Sequence, residues 1–318
     1  MKRVLVTGAS GFLGYPLVAA LARNGYDVRA AVRRMPTRVF PSDVQIVTHP
    51  DFVDLVDWPS LVTDVDAVVH LAGIAHMHKG VPDSDYDRIN HIATAEIAAA
   101  AKRAGVRRFV YISSIRAQCG AMTTVALNES CAPRPTDAYG RSKLAGEAAV
   151  CAADLPFTIL RPALVFGPGA KGNIRTLLRL ASLPLPLPFG ALSNRRSLLS
   201  LENFITAVSF ALNSRRVIDE LYVVADAAPL SIAEIVAALR RGLGRDAGVF
   251  SLSPRLLRAA LVSAGLSSTW ERIGEALVVD ASKLVGAGWT PNNDTSAALS
   301  RMAASFATTR SQRRAQND

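Results

Sequence analysis

Three glycines at three-residue spacing, Gly8, Gly11 and Gly14, follow directly on an apolar, β-branched run opened by Lys2 and Arg3. Residues 15–25 then carry a helical pattern, with Pro16 in its first turn and Gly25 past its end. The order is strand, tight turn, helix. In such a unit Gly8 permits the turn, Gly11 lets a pyrophosphate approach the backbone, and Gly14 lets the helix pack closely on the strand. The start of the helix offers free N–H groups and a partial positive charge to phosphates. The spacing is Gly-x-x-Gly-x-x-Gly rather than the usual Gly-x-Gly-x-x-Gly, so its place between strand and helix carries the reading. With Ser10, Phe12 and Leu13 completing it, the loop reads as a dinucleotide-binding turn.

At 318 residues and 50% hydrophobic, the chain exceeds the size at which a single core stops growing. A main domain with a smaller lobe follows. The net charge of +10 admits nucleic acid, an anionic membrane face or a phosphorylated small molecule as partner. The arginines are scattered and lack interleaved aromatics, which speaks against nucleic acid and for phosphate ligands plus a basic surface. Three cysteines, Cys119, Cys131 and Cys151, without CxxC spacing imply neither a disulfide framework nor a zinc site. The first strand starts too early to leave room for a signal peptide, and the apolar stretch 177–192 holds Arg179 and three prolines, so no membrane span is expected. The expected compartment is a reducing cytoplasm.

Up to about Gly167 short apolar strands alternate with helical patterns: strands at 28–32, 44–47, 66–73, 108–114 and 157–162, helices at 90–104 and 139–151. Such alternation predicts an α/β, doubly wound parallel sheet. Beyond it Gly and Pro crowd residues 167–190, and helix is excluded through 183–190. Residues 197–213 read as strand then helix rejoining the main sheet. The division expected is 1–167 plus about 196–225 for the nucleotide-binding domain, about 168–195 and 226–307 for a substrate lobe, and a disordered basic tail at 308–318. Ser231 with Glu234 reads as a helix cap in that lobe.

Tyr139 and Lys143 stand four apart, on one helical face. A free phenol, with a pKa near ~10, exchanges protons poorly at neutrality; a nearby ammonium favours the phenolate. Tyr139 is therefore a candidate acid–base for a carbonyl/alcohol pair, with Ser113 and Ser114 upstream as hydroxyl donors. Where the second strand ends, Val32 runs into Arg33 and Arg34 with no acid to accept from a ribose 2′-OH. Arginine suits a 2′-phosphate, so NADP(H) is preferred and NAD(H) left open. His70 reads as a satisfied core residue; His76 and His78 lack a carboxylate or third ligand for a metal.

Taken together, the 7–14 glycine motif, the 70–73 His-Leu-Ala-Gly run, Ser113-Ser114, Tyr139/Lys143 and Arg161-Pro162 resemble the extended short-chain dehydrogenase/reductase superfamily, in its nucleotide-sugar epimerase/dehydratase branch. The resemblance implies a Rossmann-type domain holding NAD or NADP, a C-terminal substrate-binding lobe, and frequently a homodimer through the helices at Asn90 and Tyr139. It implies Tyr139 as acid–base, Lys143 on the nicotinamide ribose, and Ser114 or Ser113 on the reacting oxygen. Asp51 and the Phe52 backbone would hold adenine, while Leu71, Ala72, Gly73, Asn90, Ile112 and Pro162 would line the cofactor. Asn173, Phe189, Arg196 and Arg272 would meet a UDP-sugar. Many sugar epimerases carry Ser or Thr where Ile115 stands here, which moves the hydroxyl to Ser114. Within that branch the chain looks most like UDP-4-keto-6-deoxy-N-acetylhexosamine 4-reductases of O-antigen synthesis, the UDP-quinovosamine type. A UDP-hexose 4-epimerase with tightly held NAD, a reductase of a non-sugar carbonyl and a non-catalytic cofactor sensor stay open.

Overall fold

The computed structural model describes residues 2–75, 80–120, 122–123, 125–170, 172–266, 270, 274, 276–292 and 294–315, with backbone alone at 173 and 309–315. Seven parallel strands form the main sheet: β1 (Arg3–Thr7), β2 (Asp27–Val32), β3 (Gln45–Thr48), β4 (Ala67–His70), β5 (Arg108–Ile112), β6 (Phe157–Pro162) and an edge strand, Glu220–Val224. Their spatial order is 3-2-1-4-5-6-edge, so the direction of winding reverses between β1 and β4. That reversal opens a crevice at the carboxyl ends of the two strands.

Side chains alternate across β1: Val4 and Val6 enter the core on one face, Leu5 the core on the other. The first face is covered by α1 (Gly14–Arg23), through Leu17 and Leu21, and by the helix Leu201–Asn213, through Phe204 and Val208. The second is covered by α2 (Trp58–Val62), α4 (Ala93–Arg103) and α5 (Ala138–Ala152), with α3 (Asp83–Asp87) and a π turn at Arg88–Ile92 leading into α4. Strands covered on both faces read as continuous apolar runs, which is why they were visible in the sequence.

Two expectations are corrected. The strand at 198–200 does not rejoin the main sheet; it pairs in parallel with Leu164–Phe166 as a separate two-stranded ladder, and the seventh main strand comes later, at Glu220–Val224. The basic tail is not disordered as far as Ala315, because the closing helix Thr295–Ala315 carries through it. Its Arg, Gln and Ala residues are good helix formers and continue a helix already nucleated by packing.

The third core lies in the C-terminal lobe. It gathers Ile174, Leu177 and Leu178 of helix Gly172–Ala181, Ile235 and Leu239 of helix Ile232–Gly242, and Leu299 and Met302 of the closing helix. Ser231 caps Ile232–Gly242 in a complete capping box with Glu234.

Candidate active site

Every loop that converges on the crevice leaves the carboxyl end of a strand. After β1, Gly8 sits at φ +67°, and a Cβ there would lie 2.9 Å from the Ala72 backbone. At Gly14 a Cβ would fall 2.2 Å from the Gly8 carbonyl, so α1 sits directly on the turn. Gly11 differs: only the Gly8 carbonyl comes near, at 3.1 Å, and both Ser10 and Gly11 are exposed. Phe12 and Leu13 are half-buried behind them. Helix α1 begins with neither a side-chain cap nor an acid in its first turn. An open glycine beside an uncapped helix N-terminus fits a dinucleotide's pyrophosphate.

The facing loop after β4, Leu71, Ala72 and Gly73, is held by a chain of hydrogen bonds. The Ala72 N–H donates to Thr7 Oγ1 (3.2 Å), which pairs with His70 Nδ1 (2.8 Å). His70 Nε2 pairs with Thr94 Oγ1 (3.1 Å), and that hydroxyl donates to the Asn90 carbonyl (2.9 Å). Since Thr94 and Ala72 both donate onward, the bonds run one way only if His70 carries its proton on Nε2. Burial pushes its pKa down to about 3, with the Lys143 charge adding to the effect, so it stays neutral. His70 is a structural link, as its sequence context implied.

Asn90 is fully buried inside the π turn, not at a helix cap. Its side chain accepts from the Ile74 N–H (2.8 Å) and donates to the Ile74 carbonyl (3.1 Å) and to Ser142 Oγ (3.1 Å). Asn90 thus acts as a clamp, tying the 71–74 loop to α5 at Ser142, the residue next to Lys143.

Helix α5 is capped by Asp137, whose carboxylate accepts from the Gly140 N–H (2.7 Å) and pairs with Arg116. The cap sets Tyr139 in the first turn and Lys143 one turn on. Tyr139 is half-buried, and burial pushes its phenol above the ordinary value; a hydrogen bond with Ser114 and the charge of Arg116 pull it back down. Ser114 Oγ also accepts from the Arg116 N–H (3.2 Å). Lys143 is only 4% exposed, with its ammonium 4.3 Å from the centre of the Tyr111 ring. Burial pushes its pKa down to about 7, against the pull of Glu147 one turn further along.

Ser113 and Ser114 part company. Ser113 donates to the buried Glu147 carboxylate, which Arg161 also grips through two nitrogens, at 2.9 and 2.5 Å. Arg161 reaches on to Gln118 Oε1 at 3.1 Å. Successive residues of an extended segment point to opposite faces, so only one of the two serines can meet the phenol. It is Ser114; Ser113 is corrected to a structural partner of Glu147. Ile112 and Pro162, at the ends of β5 and β6, are buried beneath the crevice.

At the far end, Arg33 pairs with Asp51 at 2.5 Å, the arginine side chain 61% exposed. Burial raises the Asp51 carboxyl, but the Arg33 hydrogen bond and charge outweigh it and hold it low, helped by the Phe52 and Val53 N–H groups. The Phe52 ring is buried, stacked on His49 at 4.7 Å and tilted on Trp58 at 4.8 Å. Among the described residues no cluster of three metal-ligating side chains occurs, and no helix is long and apolar enough to cross a membrane.

Residues 4–225 match the model of the NAD dependent epimerase/dehydratase family. The chain belongs to that family. It is similar to the UDP-glucose 4-epimerase of Vibrio cholerae, 31% identical over 254 residues (77% of this chain, 76% of that one). It is also similar to the ceramide reductase of Caulobacter vibrioides, 32% identical over 201 residues (63% and 57%). In fold it matches the UDP-glucuronic acid 4-epimerase of Bacillus cereus in complex with UDP-glucuronic acid and NAD, at TM-score 0.76 and 24% identity over 97% of this chain and 99% of that one.

This member of the family places its expected substrate residues unevenly. Arg196 is half-buried on the two-residue strand Arg195–Arg196, paired with Leu230–Ser231 and bridged to Leu277, close enough to act on the Cys119 thiol. Phe189 is corrected: at 5% exposure it belongs to the lobe's core with Leu187 and Leu192, because the turn before Gly190 directs the ring inward. Asn173 lies on helix Gly172–Ala181 with its backbone alone described; Arg272, His76 and His78 lie outside the described residues. Sequence reasoning missed Arg116, Glu147 and Tyr111. Glu147 alone left a signal, standing four residues beyond Lys143.

Proposed function

We propose that this family member is an NADP(H)-dependent oxidoreductase that reduces the C4 ketone of a UDP-4-keto-6-deoxy-hexosamine. The observation that carries the reading is the pairing of Tyr139 with Ser114, with Lys143 one helical turn behind and its ammonium beside Gly73 of the loop that the glycine turn packs against. Gly8, Gly11, Gly14 and the start of α1 would hold the pyrophosphate, and Lys143 the nicotinamide ribose. The nicotinamide, when bound, supplies hydride chemistry. Tyr139 gives its proton to the carbonyl oxygen as negative charge develops there, and Ser114 aligns that oxygen and by its hydrogen bond favours the phenolate left behind, the Arg116 charge being offset by its partner Asp137. Arg33, exposed at the end of β2 with no acid at 32–34, supports a 2′-phosphate and hence NADP(H), a phosphate that would compete with Asp51 for the guanidinium. In the lobe, Arg196, with Asn173 and Arg272, would take the diphosphate of the UDP group.

A second reading, a UDP-hexose 4-epimerase using bound NAD, is favoured by the 31% identity to an enzyme of that name. Against it, the position where many epimerases carry a hydroxyl is Ile115, buried here in an apolar cluster. The two separate in one assay. Purified protein is mixed with NADPH and a UDP-4-keto-6-deoxy-N-acetylhexosamine, and in parallel with UDP-glucose and UDP-N-acetylglucosamine alone. Stoichiometric NADPH oxidation in the first tube supports the reductase. Interconversion of C4 epimers with no net cofactor consumption overturns it in favour of the epimerase.

A further inference from the structure

Helix Pro254–Ser263 shows water an unusually apolar side. Only Leu257 is buried and Leu261 half-buried, so these two mark its inner side. On the outer side, at helical spacing, stand Arg255, Leu256, Ala259, Val262 and Ser263, all exposed, with Arg255 the one charge among them. Leu256 is 62% and Val262 49% exposed, and Arg258 stands at one edge. A surface helix ordinarily carries several charges and no large apolar side chains where this one carries Leu256 and Val262.

Two further segments of the same lobe, bonded to one another, also present apolar side chains. The loop at 183–185 presents Leu183 and Leu185, the latter 66% exposed. It is fixed from behind: Arg240 donates to the Leu183 and Leu185 carbonyls (3.3 and 2.5 Å) and to the Gly248 carbonyl (2.9 Å), while Arg245 donates to Leu183 (3.0 Å). The strand-like run after Gly248 is bonded to the same loop, with the Phe250 N–H on the Leu187 carbonyl (3.0 Å). Phe250 is exposed and leads within four residues to Pro254. These leucines are presented on a framework with buried guanidinium bonds, not on a loose end.

Charge selects the partner. Residues 173–192 and 239–266 together contain seven arginines and one acid, Asp246. Six of the seven are exposed, the exception being the buried Arg240. We propose that the outer face of helix Pro254–Ser263, with the tips of the 183–185 loop and Phe250, docks on the surface of an anionic lipid bilayer. Apolar side chains projecting from a rigid surface enter the headgroup boundary, and arginines around them meet anionic headgroups, an attraction that weakens with salt. The surface lies on the lobe's exterior and shares no residue with Tyr139, Ser114 or the glycine loop. The inference therefore stands whether the reductase reading holds or fails.

The test is sedimentation of the full chain with phosphatidylcholine vesicles, with and without phosphatidylglycerol, at low and high salt. The expected result is co-sedimentation with the anionic vesicles only, reduced by salt. Leu185→Asp with Leu256→Asp, and separately Arg255→Glu with Arg258→Glu, should each lower vesicle affinity at least about tenfold. All four positions are exposed, so melting temperature and NADPH affinity should not change. Absence of binding to anionic vesicles overturns the proposal. So does unchanged binding by the Leu185→Asp/Leu256→Asp variant, which would reduce the effect to the general basic charge. Light scattering that shows a wild-type dimer dispersed by Leu256→Asp, with no vesicle binding, would make the face an interface between copies of this chain.

Discussion

Lys143 shows how the helix of the proposed site carries a residue that folding alone would not choose. Its ammonium is enclosed, with a ring face and one carboxylate for company, and its pKa falls from 10.5 to about 7. The unfolded chain thus holds a proton between about pH 7 and 10.5 that the folded chain has given up. Stability from this group therefore rises with pH through that window, and the penalty is full below about 7. Replacing the ammonium by an apolar chain of similar length removes the penalty. Lys143→Met should raise the melting temperature by a few degrees at pH 6, with the gain shrinking toward pH 10, while turnover is lost. Melting curves of both proteins across that range check it. Tyr139→Phe probes the neighbouring group differently. It removes one hydroxyl, leaves the glycine loop untouched, and should lower kcat about 10²–10⁴-fold with NADPH affinity within a factor of a few. Equal losses in both would mean that Tyr139 holds the cofactor and does not move the proton.

Elements fix these residues, and the glycine turn separates two roles that look alike in sequence. Gly14→Ala would press a methyl to 2.2 Å from the Gly8 carbonyl and 2.8 Å from Ala9 Cα, atoms that cannot yield without parting α1 from β1. Gly11→Ala meets a single oxygen at 3.1 Å. The first should destabilise the fold by about 1–3 kcal/mol; the second should leave melting nearly unchanged but weaken dinucleotide binding, since the methyl stands where the pyrophosphate approaches. Urea unfolding and cofactor titration of the two variants decide it. The His70 link between β4 and α4 has its own signature. Its folded pKa, about 3, lies below the ordinary 6.5, so the unfolded state takes up a proton first as pH falls. Stability from this group is present above 6.5 and is lost toward pH 3, at up to ~1.4 kcal/mol per pH unit. His70→Gln should flatten that acid limb in pH-dependent urea unfolding.

Much of this was legible in the residues. Strands buried on both faces, such as Ala67–His70, announce themselves as apolar runs, and Ser231 and the glycine turn mark where two of the helices start. What escaped depends on tertiary contact. Leu164–Phe166 and Leu198–Ser200 are three residues each and exist because they pair with one another, an event no local pattern encodes. Ser113 and Ser114 are chemically identical until the extended backbone sends one to Glu147 and the other to Tyr139. Phe189 looks like a base-stacking residue until its turn folds it into the lobe.

At the scale of the whole molecule, two cores flank the sheet and a third fills the lobe, so the glycine-turn crevice and the lobe rest on different packing. That separation is testable at one glycine. Helix Ile232–Gly242 and the closing helix meet so closely at Gly242 that a Cβ there would lie 2.0 Å from the Ser300 carbonyl oxygen and 2.7 Å from its carbon. Ser300 Oγ also donates to the Ala238 carbonyl at 2.7 Å, which locks the register of the pair. Gly242→Ala must therefore push the helices apart and loosen Leu239, Leu299 and Met302 between them, at about 1–3 kcal/mol. Leu239, Leu299 and Met302 belong to a different core from Val4, Val6, Leu17 and Leu21 of β1 and α1. If the lobe is the sugar-binding half, the variant should lose affinity for UDP-sugars several-fold and keep its affinity for NADPH. Calorimetric titration of each ligand reads the two halves separately. A parallel loss of both would mean that the lobe's packing also sets the shape of the dinucleotide crevice, and that the molecule works as one body.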